Sequence, residues 1–481
     1  MTSFAGRIIA LAALAAMVTS ASATGPLRVL KSNPRYFTDD SGKAIYLVGS
    51  HTWNNLVEIT HLPSTPNPVV DYRVYLDFLK SHHHNFFRLW TWESAAEMDA
   101  SGVIKYRYSP LLFERTGPGK ALDGDPRFDL TKFNQAYFDR MRERIIAARD
   151  NGMYVSVMLF QGFSINRKSH DDPWQGHPFN APNNINGIDG DPGHTGGGLT
   201  AHSLAIPAVT KLQEAYVRKV IDTVNDLDNV LYEITNEDEG SPQNTAWQVH
   251  MIQFIKAYEA GKPQRHPVGF TVQYPKGSNA DLFTSGADWI SPNEKDGYQT
   301  DPPAADGRKV IVNDTDHTFY YIALQKQGLA AQRAWAWKNL TRGNNMLFMD
   351  PYLDPNPWYV TTRNHPSGTQ AGLYWETLRN AMGDTRVYAD RMNLAAMTPE
   401  SALSSTNYCL ANPGHEYLVY QPGAGPFTVT LAAGDYNYEW FNPLDQKVAG
   451  TGLLKVTGGK STFTPPVSGD AVLYVTTAKG K

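Results

Sequence analysis

The 481-residue sequence holds a single cysteine, Cys409. No intrachain disulfide can form, so stability must come from packing. A strong charge of either sign is missing too. The formal net charge is -4, too weak a field to draw the chain to nucleic acid or to an anionic membrane. Beyond the N-terminus no apolar run is long enough to cross a bilayer. Several chemical signatures are also missing. There is no phosphate loop and no dinucleotide fingerprint, and without Gly-x-Ser-x-Gly a serine esterase has no support. His82-His83-His84 lacks the spacing for one-faced ligation, and the oxygen-rich stretch from Asn183 to Asp191 has no closing Glu. Neither a metal nor a cofactor is expected.

What the sequence has in quantity is apolar and aromatic surface. Hydrophobic residues make up 41% and aromatics 12%, with 11 Trp and 25 Tyr. Such a chain can bury a large core in more than one domain. Aromatic faces also stack on the C–H faces of sugar rings, although large cores bury many aromatics for packing alone. At the N-terminus Arg7, the apolar run from Ile8 to Val18 and Ala21-Ser22-Ala23 read as a signal peptide over 1–23. The mature chain is then expected to start near Thr24, in a secreted or periplasmic protein.

Short apolar, β-rich runs recur along the next 350 or so residues. They are Tyr46 to Gly49, Phe86 to Trp90, Tyr154 to Phe160, Val230 to Thr235, Val268 to Val272, Trp289 to Ser291, Val310 to Asn313 and Met346 to Met349. Each suits a buried parallel strand. A hairpin is expected before them, with Asp39-Asp40-Ser41-Gly42 as its turn. Helical stripes separate most of the runs. One is Tyr72, Tyr75, Leu76 and Leu79; another is Trp247, Met251, Phe254, Ile255 and Tyr258, capped by Ser241. Strands alternating with helices predict an α/β fold, a (β/α)8 TIM barrel over 24–395. Pro302-Pro303 interrupts the sixth unit. From 396 to 481 close-set strands without helices predict a small all-β sandwich domain, and the missing linker predicts close packing. Cys409, between Tyr408 and Leu410, reads as a buried strand residue. Two long connections, Thr91 to Phe128 and Gln161 to Ser203, follow strands and should wall a pocket on the catalytic face, which favours exo action.

Candidate chemistry sits at the strand ends. Strand four ends in Asn236-Glu237 and strand seven in Asp314-Thr315-Asp316-His317. Acids just past barrel strands lie on the face where chemistry occurs. Strands four and seven face each other, so Glu237 and Asp314 can flank one glycosidic bond, one protonating the leaving oxygen and one attacking or activating water. Asp316 is the alternative to Asp314, and both can instead cap the following helix, with His317 structural. Glu237 is expected to hold a proton and Asp314 to be ionised. Around them His51, Trp53, Arg88, Trp90, Gln161, Gln273, Glu294, Tyr298, Asp350 and Tyr352 follow or end other strands. They are candidate contacts for a carbohydrate.

This pattern resembles the clan A glycoside hydrolases. More closely, it resembles a bacterial group of cellulase-like or apiosidase-like barrels whose C-terminal sandwich is named for collagen binding. The resemblance rests on Gly49-Ser50-His51-Thr52-Trp53, Phe87-Arg88-Leu89-Trp90, the run Tyr232 to Glu237, the run Asp288 to Pro292, Asp314-Thr315-Asp316-His317 and Phe348-Met349-Asp350-Pro351-Tyr352. It implies Glu237 as acid/base and Asp314 as nucleophile. Asn236 would bond a substrate hydroxyl, and Arg88 would keep the strand-seven acid ionised. One departure stands out: the family has Glu where this chain has Asp314. The shorter side chain can widen a retaining gap of about 5–5.5 Å toward the inverting range of about 6.5–9.5 Å. The expected function is hydrolysis of O-glycosidic bonds in a poly- or oligosaccharide. The alternative is a non-catalytic carbohydrate- or matrix-binding barrel. A polysaccharide lyase would need several basic residues for uronate, and only Arg88 stands at a strand end.

Overall fold

The computed structural model describes residues 25–62, 71–165, 171–274, 276–317, 320–350, 352 and 370–478, without side-chain detail at 320–327 and 370–374. The signal-peptide reading and Pro351 lie outside these residues. Eight parallel strands form the barrel: β1 (Val48–His51), β2 (Phe86–Leu89), β3 (Tyr154–Gln161), β4 (Val230–Asn236), β5 (Val268–Thr271), β6 (Trp289–Ser291), β7 (Val310–Asp314) and β8 (Asn345–Met349). All eight overlap the apolar runs, the first only at Val48 and Gly49, because strands covered on both faces are largely apolar. Seven pairs are laddered in order from β2 round to β1. The last gap, between β1 and β2, is bridged by Asn85. Its N–H donates to Val48 O at 2.9 Å and its Nδ2 to Tyr46 O at 2.9 Å, while its Oδ1 accepts from Val48 N at 3.0 Å. Gly49 makes this approach possible, since a Cβ there would lie 1.8 Å from the Phe86 carbonyl oxygen.

Helices follow the strands as the barrel pattern requires: α1 (Tyr72–Ser81), α2 (Gln135–Asp150), α3 (Pro207–Val224), α4 (Pro242–Glu259), α5 (Asn279–Thr284), α6 (Tyr320–Thr341) and α7 (Gln370–Arg391). Asp71, Asn134 and Ser241 cap α1, α2 and α4 with side-chain oxygens. The buried stripe of α4 is rotated from the expected one. Asn244, Gln248 and Ile252 are buried beside Trp247, Met251 and Ile255, while Phe254 and Tyr258 are half-buried. Between β6 and β7 only the short turn Lys295–Gly297 stands in for a helix. The expected hairpin is reduced to a bridge between Phe37 and Ile45, and Phe37–Thr38 pairs with Arg28–Val29 instead.

The long connections carry structure of their own. Glu58–His61, Ala96–Met98 and Ile104–Ser109 form a three-stranded sheet above the barrel, and Phe113–Glu114 pairs with Asp129–Phe133.

After α7 the chain turns through Leu394–Ala396 into an antiparallel six-stranded sheet. Phe427–Leu431 and Gly459–Phe463 form the second sheet. Alternation sorts each strand of the large sheet into two faces. Tyr417, Val419, Leu473 and Val475 join Cys409, Val429 and Phe463 between the sheets. Leu418, Tyr420, Val472 and Tyr474 face the barrel and pack with Trp335, Trp337, Leu378 and Met382 of α6 and α7. A buried ion pair, Arg333 Nη2 to Asp470 Oδ1 at 2.8 Å, crosses the same interface. Removing the sandwich would bare Trp335 and Trp337, each almost fully buried, so the barrel is not expected to survive alone. Calorimetry is expected to record one unfolding transition for both parts. Two resolved transitions would show that the interface contributes little.

Candidate active site

Glu237 stands at the end of β4, half-buried, with a φ of 54°. A non-glycine residue in the left-handed region carries a cost of about 1–3 kcal/mol, which the surroundings must offset. Part of the hold comes from the residue before it. Asn236 Oδ1 accepts from His317 Nε2 at 2.7 Å, and His317 Nδ1 meets Ser291 Oγ at 2.8 Å. With the Nε2 proton directed at Asn236, Nδ1 accepts from Ser291. Burial and the nearby Arg88 charge push His317 down to about 3, so the ring stays neutral.

Below this pair the barrel is centred on Arg88, which has no exposed surface. Its Nε donates to Glu233 Oε2 at 2.7 Å, its Nη2 lies 2.8 Å from Asp314 Oδ2, and its Nη1 lies 3.3 Å from His51 Nε2. Glu233 also accepts from Thr271 Oγ1 at 2.6 Å, so it is an inward brace for the guanidinium. The His51 ring stacks on Trp90 with centroids 5.2 Å apart. Burial, then the Arg88 charge, hold His51 well below the ordinary histidine value.

The two strand-seven acids occupy different levels. Asp314 is fully buried, with Arg88 on Oδ2 and the Asp316 N–H donating to Oδ1 at 3.0 Å. Burial raises its pKa and Arg88 opposes the rise. Asp316 instead lines a pocket together with Glu237, Gln273, Tyr274, Glu294 and His317. Burial, then the charges of Glu237 and Asp314, push Asp316 well above the carboxylate range. The chain turns after Asp314, which leaves that side chain down the barrel and brings the next acid up to the pocket.

The other candidates divide in the same way. Gln273 lines the pocket, its Nε2 tied to Thr245 Oγ1 at 2.9 Å. Gln161 is buried at the end of β3, and its Oε1 accepts from Phe163 N at 3.0 Å. Trp90 sits edge-on to Trp53, whose carbonyl accepts from Trp92 Nε1 at 2.8 Å. Asp350 pairs with Arg379 of α7, and Tyr352 stacks on Phe78 of α1 at 4.3 Å, so both brace the rim. Tyr298 is not brought to the pocket. Its ring is buried in the core, and its carbonyl accepts from Asn313 Nδ2 at 3.0 Å.

Sequence reasoning missed a polar cluster beside Glu237: the buried His177, His202, Asp238 and Asn244, with Glu93, whose side chain is 8% exposed. Its one local signal was an acid directly after Glu237. The Asn183 to Asp191 stretch spends its polar groups on its own loop and on the segment beside it, where Asn183 Oδ1 accepts from Leu122 N and Asn186 Oδ1 from Leu130 N. Asn184 Nδ2 donates to Ile188 O at 2.9 Å, and Asp191 accepts from Thr195 and Gly196. Among the described residues no group of three or more His, Cys, Asp or Glu is placed to hold a metal ion. A larger cavity, about 530 Å³, opens between Pro26–Val29 and Pro263–Pro267 at the other end of the strands. Its lining includes Lys256 in contact with Asp288 and His266 in contact with Glu259.

A family model described as a domain of unknown function, DUF6298, matches residues 98–274, a span that includes Glu237 but neither strand-seven acid. No sequence of a curated protein is significantly similar to this chain. Among solved structures, one described as a glycoside hydrolase is 14% identical, covering 95% of this chain and 98% of its own, with a TM-score of 0.57. A glycoside hydrolase family 5 structure from Bacteroides vulgatus ATCC 8482 is 13% identical, covering 95% of each chain, with a TM-score of 0.58. At these identities the likeness is one of fold.

Proposed function

We propose that this protein is a glycoside hydrolase that cleaves O-glycosidic bonds with Glu237 and a carboxyl group of the β7 end. The observation that carries the reading is that Glu237 and Asp316 line one pocket at the C-terminal ends of the barrel strands. Two carboxyl groups facing one pocket are what glycoside cleavage uses, one to protonate the leaving oxygen and one to attack or activate water. Buried polar atoms without partners on the same end of the barrel support a sugar as the occupant. They include the donors Trp90 Nε1 and Gln161 Nε2 and the acceptors Gln273 Oε1 and Asp316 Oδ2. Sugar hydroxyls donate and accept, so they can satisfy both kinds. Each buried group left unpaired costs about 1–3 kcal/mol. A second reading keeps Asp314 as the nucleophile, favoured by the Arg88 contact, which opposes the rise that burial imposes on its carboxyl group.

The narrower placement, among cellulase-like or apiosidase-like barrels with a sandwich named for collagen binding, rests on the quoted motifs. Export rests on the N-terminal pattern, and its check is a mature terminus at or near Thr24 in exported protein. The function is tested by NMR of products from a broad oligo- and polysaccharide panel. Release of sugar, lost in Glu237→Ala, is the expected result, and the first-formed anomer separates retention from inversion. Binding without any bond cleavage would leave the non-catalytic carbohydrate-binding barrel standing.

A further inference from the structure

Glu237 is held from both sides. Before it, Asn236 is fixed by His317. After it, Asp238 is fixed by His202, whose Nδ1 lies 2.7 Å from Asp238 Oδ1. Asp238 Oδ2 accepts from Asn244 Nδ2 at 2.9 Å, and its carbonyl accepts from Tyr274 N at 2.7 Å. Gly162, after β3, leaves room for this. A Cβ there would lie 2.4 Å from the Asp238 nitrogen.

The other side of His202 faces a second acid, with Nε2 3.2 Å from Glu93 Oε1. The ring lies flat on Trp247, centroids 4.4 Å apart at 8°. Glu93 also accepts from Gln161 N at 2.6 Å and lies 3.4 Å from His177 Nε2. Carboxylate oxygens only accept, so both nitrogens of His202 carry protons. Burial opposes that charge, but Asp238 and Glu93 outweigh it and push His202 up to about 10. Burial would likewise raise Glu93, yet the His202 charge and the hydrogen bonds of both histidines bring it down to about 2. His177 differs. Its Nδ1 accepts from Phe179 N at 3.0 Å, so its proton sits on Nε2, toward Glu93. That tautomer leaves no Nε2 lone pair for a metal, and the group is a hydrogen-bonded clamp.

We propose that His202 is a positioning residue that ties Glu93 of the β2 connection to Asp238 of the β4 connection and so holds Glu237 in its left-handed backbone, facing the pocket. This rests on the reading of Glu237 as the residue that assists the leaving group. Small displacements of a reacting group can cost on the order of 10²-fold in rate. A clamp acting through Glu237 should also reproduce the dependence on leaving group that Glu237 itself shows, which a general packing defect would not.

The test uses the full chain and aryl glycosides with phenyl, nitrophenyl and dinitrophenyl leaving groups. His202→Gln keeps a donor but can reach only one of the two acids, without charge. Its kcat is expected to fall by about 10–10²-fold on the phenyl glycoside and much less on the dinitrophenyl one, with KM little changed. Added to Glu237→Gln it should cost little more. Asp238→Asn should behave alike and serves if His202→Gln fails to fold. An equal loss across leaving groups, a change in KM alone, no loss, or full multiplication of the two losses would overturn the proposal. A Glu237→Gln variant without leaving-group dependence would instead overturn the reading of Glu237, whatever His202→Gln does.

Discussion

Glu237→Gln is expected to lower kcat on glycosides with poor leaving groups by about 10²–10⁴, the usual contribution of a positioned proton donor. The amide matches the carboxyl group in shape, and the left-handed backbone at Glu237 is held through its neighbours, so folding should survive. Dinitrophenyl glycosides need little protonation and should lose much less at the bond-breaking step. The β7 acids separate in the same assay. Asp316 lines the pocket with Glu237, whereas Asp314 lies under it against Arg88. Asp316→Asn is expected to abolish turnover on every leaving group if Asp316 is the partner. Asp314→Asn should then keep measurable turnover and lose stability. The reverse pattern would assign the reaction to Asp314, as the resemblance to clan A implies. Full activity in all three variants would end the paired-carboxyl account.

The largest expected loss of stability belongs to Arg88→Met. One guanidinium neutralises Glu233 and Asp314 where no water reaches any of the three. Removing one partner of a buried pair costs about 3–5 kcal/mol, because the remaining charge has nothing to replace its hydration. In the variant both acids would hold protons more tightly folded than unfolded. A folded-state pKa above the unfolded value gives stability that is present at low pH and lost as pH rises. The deficit against wild type should therefore be smallest near pH ~4, about the ordinary carboxyl value, and should grow toward neutrality. Urea denaturation at several pH values checks this. A deficit independent of pH would mean that the loss is one of packing. Arg88→Lys, which keeps the charge but not the fork, should recover only part of the stability.

The barrel was legible in the sequence because its strands are buried on both sides. Val230 to Thr235 and Val268 to Thr271 are buried at every position. The sandwich was legible for the opposite reason, as Phe427–Leu431 alternates cleanly between buried and half-buried positions. Helix α7 went unseen. It packs on the barrel through Ala381 and Met382 and on the sandwich through Tyr388, so no single narrow stripe marks it. At the site, the strand-end rule found Glu237, Asp314, Asp316 and the residues around Arg88. It did not find that the chain turns between Asp314 and Asp316. Nor did it reach His177 and His202. They lie in a connection with no periodicity, and His202 meets Glu93 across 109 positions and Asp238 across 36. Contacts of that kind are made by the folded scaffold and leave no local pattern.

Cys409 turns the absence of other thiols into a kinetic probe. It is fully buried between the two C-terminal sheets, and burial pushes the thiol up to about 12. A thiolate-seeking reagent can reach it only when those sheets part, so each labelling event counts one opening of the sandwich. With labelling much faster than reclosure, the rate would be the opening rate itself. With labelling slower, it would give the free energy of opening. Comparing that value with the free energy of global unfolding would reveal how often the sandwich breathes while the barrel beside it stays closed.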